Sequence, residues 1–124
     1  MLFYKGATEE EIFSFEKKNN ITLPEKYKEL LRFSDGGEIF FPDGVILYGV
    51  AHRPLIKVKI KNRPDDTYFA IGKLFYGDPI LAKSSGEEVF IYNLEDEMIG
   101  DEIYPDFFNF LNDLYELLGI DDCE

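Results

Sequence analysis

The spacing of apolar residues changes twice along the chain, and this limits the folds available to it. Residues 8–34 carry apolar side chains at helical spacing, residues 38–92 form short runs with strand character, and residues 105–118 return to helical spacing. Two helices, then strands, then a helix differ from the alternating strand–helix units that build parallel sheets. The pattern therefore predicts an α+β fold: a twisted, mainly antiparallel sheet with two N-terminal helices and one C-terminal helix packed on it.

The two N-terminal helices have recognisable start signals. Thr8 and Glu11 have the spacing of a capping box, and Asn19-Asn20 is expected to end the first helix. Pro24 suits the first turn of the second helix, because the N–H that proline lacks would have no partner there. The predicted inner face of this second helix consists of Tyr27, Leu30, Leu31 and Ser34.

The second helix runs into Ser34-Asp35-Gly36-Gly37, which raises the question of a phosphate site. Phosphate-binding glycines precede a helix, so that the free N–H groups at its positive end face the anion. Here the glycines follow the helix. We therefore interpret the pair as a C-cap and turn.

The middle of the chain predicts strands separated by turn signals. The predicted strands are residues 38–41, 45–48, 56–60, 68–72, 80–83 and 88–92, with turns at Pro42-Asp43-Gly44 and at residues 83–87. Lysines alternate with apolar residues over residues 56–61, which is typical of an exposed edge strand protected from aggregation. Nucleic-acid contact is the weaker interpretation, because no aromatic residues interleave with these lysines.

The last third of the chain combines an acidic segment with a helix. Residues 94–104 are expected to form an acidic loop, and Pro105 to open the last helix, which Gly119 would end. Its predicted core stripe consists of Phe107, Leu111, Leu114 and Leu118. Gly77-Asp78-Pro79 is expected to be a structural turn, in which the Asp side chain caps its own turn.

Composition narrows the function classes. The 124 residues predict one domain, residues 1–124, with a formal net charge of −12, and Cys123, the only cysteine, excludes an internal disulfide. No leader or membrane span is evident, so we expect a cytoplasmic protein. Residues 95–124 hold 11 acidic residues and no Lys or Arg. Such a surface repels nucleic acid and attracts basic partners, although it can also be only a solvated face.

The residues offer little for catalysis. His52 is the only histidine and Cys123 lies next to the C-terminus, so a histidine-dependent nucleophile has few candidates. The adjacent carboxylates Asp65-Asp66 and Glu95-Asp96-Glu97 lack the spacing of a calcium loop. We expect no metal and no cofactor. A small hydrolase that uses a carboxylate pair or His52 stays open as an alternative.

The order of several short motifs resembles the SUKH superfamily of Smi/Knr-type domains, from about Thr8 to Leu118. The motifs are Leu23-Pro24-x-x-Tyr27-Lys28-x-Leu30-Leu31, Asp35-Gly36-Gly37, Leu47-Tyr48-Gly49, Ile71-Gly72, Gly77-Asp78-Pro79-Ile80, the Gly86–Tyr92 hairpin strand and Phe107-Phe108-x-Phe110-Leu111. The family commonly has Asn where this chain has Asp35, and either residue can serve a turn. Family members often carry tryptophan, and this chain has none.

The resemblance implies a domain without catalysis. Bacterial members are typically immunity proteins that bind toxins, often nucleases or deaminases, and fungal members are scaffolds in cell-wall signalling. We expect a protein partner, a basic toxin domain, with no nucleic acid and no membrane; a scaffold without a toxin is the alternative, and the oligomeric state stays open. The candidate partner-binding residues are Asp35, Glu38, Asp43, Glu95, Asp96, Glu97, Asp101 and Glu102.

Overall fold

Within the residues that the structure describes, the chain forms one antiparallel sheet and three helices. The computed structural model describes residues 2–39, 44–52, 54–61, 63–74 and 77–117. The elements are β1 (Leu2–Phe3), α1 (Glu9–Asn19), α2 (Glu25–Phe33), β2 (Gly37–Ile39), β3 (Val45–Leu47), β4 (Tyr68–Leu74), β5 (Pro79–Lys83), β6 (Val89–Asn93), β7 (Met98–Tyr104) and α3 (Phe107–Leu117). The seven strands pair in sequence order, each antiparallel to the next. The predicted α+β class is confirmed.

The core forms where α2 and α3 meet the sheet. Tyr27 of α2 is fully buried, and its ring packs edge-to-face on Phe107 of α3 with 4.7 Å between centroids. The Tyr27 hydroxyl is shared between the carbonyl oxygens of Tyr48, which follows β3, and Ile71 of β4. This side chain therefore links α2 to the sheet by hydrogen bonds. Burial, reinforced by the negative charge of Asp35, raises the pKa of Tyr27 well above its usual value.

The predicted start of α1 is confirmed in detail. The Thr8 hydroxyl accepts the backbone N–H of Glu11 (3.1 Å), and the Glu11 carboxylate accepts the backbone N–H of Thr8 (2.9 Å). The helix ends at Asn19, and the C-cap residue Asn20 adopts the left-handed conformation (φ 54°) that asparagine tolerates better than most residues.

The N-terminus of α2 is capped from a distant part of the chain. Pro24 occupies the N-cap position and offers no side-chain hydrogen bond. Instead, the Glu87 carboxylate of the β5–β6 hairpin accepts the backbone N–H groups of Glu25 (2.7 Å) and Lys26 (3.2 Å). A serine hydroxyl of the same hairpin accepts the N–H of Thr22 (2.9 Å). The hairpin therefore holds the α1–α2 connection against the sheet.

The glycine pair makes the turn, but it does not cap the helix as predicted. Ser34 is the C-cap residue and has an extended backbone (φ −150°). Gly36 has φ 90°, a conformation that favours glycine, and a Cβ there would lie 2.7 Å from the Leu47 carbonyl oxygen. The turn therefore needs Gly36 for both its conformation and its close packing.

Two other predicted elements are corrected. Residues 56–60 contain only an isolated antiparallel bridge between Lys57 and Ala70, although the lysines of this segment are exposed as expected. The acidic segment is only partly a loop, because its second half forms β7. There, Ile99 pairs with Tyr92 and Ile103 lies opposite Phe90, apolar cross-strand pairs that stabilise a strand despite nearby acids.

Other predictions fall on residues that are not described. Phe40 to Asp43 and the end of the last helix at Leu118 and Gly119 lie outside the described ranges. The last helix begins at Phe107, two residues after the predicted Pro105. Asp106 accepts the backbone N–H of Asn109 (2.8 Å), and the hydrogen bonds to Asn109 lower the pKa of Asp106.

Replacing Glu87 by Ala tests the long-range cap. The backbone N–H groups of Glu25 and Lys26 would lose their acceptor, so we expect the free energy of unfolding to fall by roughly 1–2 kcal/mol. Urea denaturation measures this. Glu88→Ala is the matched control, since Glu88 is adjacent and exposed. Equal effects of the two substitutions would contradict the capping role.

Replacing Tyr27 by Phe tests the buried hydroxyl. At neutral pH the carbonyls of Tyr48 and Ile71 lose a donor, and we expect a loss of roughly 1–3 kcal/mol in the free energy of unfolding. The raised pKa means that the contribution of Tyr27 is fully present below its usual value of 10.0 and is lost as the pH rises through the higher folded-state pKa. Unfolding between about pH 8 and 11 should therefore depend less on pH in the variant. If the free energy of unfolding depended on pH in the same way in the wild type and the variant, the raised pKa of Tyr27 would be contradicted.

Candidate partner-binding surface

One end of the sheet carries several of the predicted binding residues. In a sheet of consecutive antiparallel strands, alternate connections lie at the same end. The β2–β3, β4–β5 and β6–β7 connections therefore share one end. Glu95, Asp96 and Glu97 occupy the β6–β7 turn, whereas Asp43 lies outside the described residues, between β2 and β3.

The β6–β7 turn combines exposed charge with exposed apolar surface. Residues 94–98, which we call the acidic hairpin tip, contain three exposed acidic side chains between Leu94, 39% exposed, and Met98, 57% exposed. The Asn93 side chain accepts the backbone N–H of Asp96 (3.0 Å), and Glu97 adopts a left-handed conformation (φ 55°). The tip is thus a defined turn that presents carboxylates flanked by apolar side chains.

Asp78 supports the acidic hairpin tip from the neighbouring connection. Its side chain is buried and accepts the backbone N–H of Leu94 (3.1 Å), while its own carbonyl oxygen accepts the N–H of Leu74 (2.9 Å). The predicted structural role of Gly77-Asp78-Pro79 fits this geometry, but the carboxylate caps the adjacent hairpin instead of its own turn. The β4–β5 and β6–β7 turns are thereby linked.

Asp101 and Glu102 continue along β7, away from the tip. Ile99 pairs with Tyr92 and Ile103 with Phe90, so three residues of β7 lie opposite one residue of β6. This irregularity contains Gly100 and both acidic residues. Their backbone belongs to the last strand of the described sheet, and extra residues of this kind bend an edge and interrupt regular pairing.

Glu38 lies far from these residues along the sheet. It belongs to β2, and β7 is the fifth strand beyond it, which corresponds to roughly 24 Å along the sheet. The Tyr4 hydroxyl donates to the Glu38 carboxylate (3.0 Å). Burial and this carboxylate raise the pKa of Tyr4. Glu38 therefore belongs to a different surface from the acidic hairpin tip.

Asp35 is buried, with 1% of its surface exposed, and is occupied by hydrogen bonds within the chain. Its carboxylate accepts the backbone N–H groups of Val50 (2.7 Å), Ala51 (2.9 Å) and His52 (2.6 Å). Asp35 is so close to Gly49 that a Cβ there would lie 2.6 Å from its Oδ1 atom. A side chain placed in this way is not available to a partner, so Asp35 leaves the candidate set. Its role is to hold the segment that follows β3.

The only histidine is held by the same carboxylate. Nδ1 of His52 lies 3.1 Å from Asp35 Oδ2, and the ring stacks on Tyr4 with 5.7 Å between centroids. An aspartate can orient a catalytic histidine in this way. Within the described ranges, however, no side chain is hydrogen-bonded to Nε2, and no group of three or more His, Cys, Asp or Glu residues could hold a metal ion. The contact between His52 and Asp35 therefore fits a structural role, in which it helps to hold the segment that follows β3.

The sequence did not predict the apolar side chains of the acidic hairpin tip, nor the backbone amides that the Asp35 carboxylate accepts. Leu94 and Met98 gave no signal, because an exposed apolar residue beside a turn cannot be told from a buried one by its spacing. The partners of Asp35 lie 15 to 17 positions away. Aspartate before two glycines indicated the turn, but nothing in that pattern identified the amides that its carboxylate accepts.

The comparison with protein families identifies the family of this chain. The sequence matches the SMI1 / KNR4 family (SUKH-1) over residues 6–113, and the chain belongs to this family. No curated protein matches the chain. In the described part of the chain, no helix has the length and apolar character that crossing a membrane requires.

Replacing Asp35 by Asn tests the anchor. An amide group would offer one acceptor oxygen where two oxygens now accept three backbone N–H groups, and its NH₂ would face donors. We expect the free energy of unfolding to fall by roughly 2 kcal/mol or more. His52→Ala is the control, since it removes the ring contacts with Asp35 and Tyr4 but keeps the backbone N–H that Asp35 accepts. It should cost less than about 1 kcal/mol. Similar losses in urea denaturation would show that the backbone contacts matter little.

Proposed function

We propose that this chain is a non-catalytic immunity protein of the cytoplasm that neutralises a basic, nuclease-type toxin by direct binding. The acidic hairpin tip is the docking site. Two findings support this proposal. The chain belongs to the SMI1 / KNR4 family (SUKH-1), and the resemblance described above implies an immunity role for bacterial members of this family. The tip places three exposed carboxylates between two exposed apolar side chains.

The two kinds of side chain in the tip have different tasks in binding. Exposed charges at the rim of an interface mainly raise the association rate, because they steer an oppositely charged partner. Buried apolar contacts supply most of the affinity and slow dissociation. Leu94 and Met98 are the apolar anchors next to Glu95, Asp96 and Glu97. No Lys or Arg follows residue 94, so no basic residue of this C-terminal part offsets the field of the tip.

The absence of catalysis is part of the proposal. The His52–Asp35 contact is the arrangement that most resembles a general base, yet the same carboxylate accepts three backbone amides. That use is sufficient to explain why a buried carboxylate lies beside the ring. The alternative function, a scaffold without a toxin, would also act through protein contacts, but its partner would not be a toxin. A toxin gene beside the gene of this chain would therefore support the immunity function.

Neutralising the acidic hairpin tip tests the docking site. In Glu95→Gln/Asp96→Asn/Glu97→Gln, association with the cognate toxin domain should slow by roughly tenfold at low salt, because steering is lost. The fold should stay intact, since exposed charges contribute little to stability. Stopped-flow or surface plasmon resonance measures the rate. Salt should slow the wild type more than the variant, as screening shortens from about 10 Å at 0.1 M to about 3 Å at 1 M.

A second triple variant controls for net charge. Glu29→Gln/Asp66→Asn/Glu88→Gln removes three exposed carboxylates from other surfaces and should leave the association rate nearly unchanged. Equal rates for the two triple variants, or a rate in the wild type that does not depend on salt, would contradict docking at the tip. If a neighbouring gene encodes a toxin module, unchanged toxicity on co-expression with it would contradict the immunity function itself.

A further inference from the structure

A groove separate from the acidic hairpin tip runs between α1 and the segment that follows β3. This open groove has a volume of about 520 Å³, and its apolar part comes from Phe15 of α1 and from Val50, Leu55 and Ile56. Val50 and Ile56 belong to the buried core, while Phe15 and Leu55 are partly exposed. The groove thus has an apolar floor continuous with the core.

The wall opposite α1 is held in place by hydrogen bonds. Asp35 accepts the N–H groups of Val50 and Ala51. Gly49 closes the segment on itself, because its N–H donates to the Pro54 carbonyl (3.0 Å) and its carbonyl accepts the Ile56 N–H (2.9 Å). A wall fixed in this way does not need to be ordered by a ligand, which lowers the entropic cost of binding.

The α1 wall carries opposite charges at its two ends. Glu10, Ser14 and Lys18 are spaced four residues apart, so they lie on one helix face, and all three are exposed. Neither Glu10 nor Lys18 forms an ion pair with a described residue. Eight helical positions correspond to about 12 Å. Four residues of extended peptide span about 13 Å.

We propose that this groove binds an extended peptide segment of a partner protein, about four residues long. The segment carries a basic side chain at the Glu10 end, apolar side chains over Val50 and Ile56, and an acidic group at the Lys18 end. A nucleic-acid strand fits this groove less well than a peptide, since Glu10 and Glu11 repel phosphate and Lys18 is the one basic residue among the described residues of the lining. The site lies beyond the end of β3 opposite the acidic hairpin tip, so it is independent of the proposed docking site.

The test uses the peptide acetyl-Lys-Val-Val-Glu-amide as a probe, titrated into the ¹⁵N-labelled chain of residues 1–124 and followed by NMR. We expect saturable shifts of amide signals in residues 10–19 and in Val50, Ala51, Leu55 and Ile56. Glu10→Lys should weaken this peptide at least about threefold and strengthen acetyl-Glu-Val-Val-Glu-amide by a similar factor. Glu29→Lys makes the same change of charge on α2 and should alter neither affinity.

Ala51→Trp provides a second test, because its backbone N–H is kept while its side chain fills the groove. The Ala51→Trp substitution should abolish the amide shifts that the peptide causes. The urea denaturation midpoint should change no more than it usually does for a surface substitution. The proposal is overturned by an absence of saturable shifts up to the solubility limit of the peptide, by shifts confined to other surfaces, or by equal affinities in Glu10→Lys and Glu29→Lys.

Discussion

The Asp35 carboxylate joins the helical part of the chain to the sheet, and much of the structure depends on it. It follows α2, yet it accepts three backbone N–H groups from the segment after β3. A buried carboxylate is stable only when its lone pairs are occupied, and these amides meet that need. The same packing requires glycine at two positions, since Gly36 must turn the chain and Gly49 must leave room for the carboxylate. Tyr27 stabilises the same corner through the carbonyls of Tyr48 and Ile71.

The strand order separates this corner from the surface that we propose for toxin binding. Because all strands pair consecutively, the β6–β7 turn lies at the end of the sheet where β4 and β5 also turn, and the Asp35 corner lies beyond the other end. Asp78 links the two neighbouring turns through Leu94. The chain can therefore vary Leu94 to Met98 with little effect on the core. On the proposed function, the residues that recognise the toxin are thereby separate from those that stabilise the fold.

The fold class followed from the sequence because helical and strand periodicities are local properties. The capping box at Thr8, the turn at Gly36 and the β5–β6 hairpin also depend on near neighbours, and they were predicted. The failures have a common cause. Glu87 caps α2 from about 60 positions away, Asp35 reaches the segment after β3, and β7 forms because its isoleucines meet Phe90 and Tyr92. Of the acidic candidates, charge alone could not separate the exposed Glu95 to Glu97 from the buried Asp35, since burial depends on tertiary contacts.

Hydrogen–deuterium exchange on the complex with a cognate basic toxin domain, the partner that we propose, tests the central claim most directly. The account predicts that binding slows exchange of the backbone amides of the acidic hairpin tip, residues 94–98, and of the start of β7. Amides near Asp35, which are already hydrogen-bonded in the free protein, should change little. Protection confined to α1, α2 or the segment after β3, with the tip exchanging as it does in the free protein, would contradict docking at the tip.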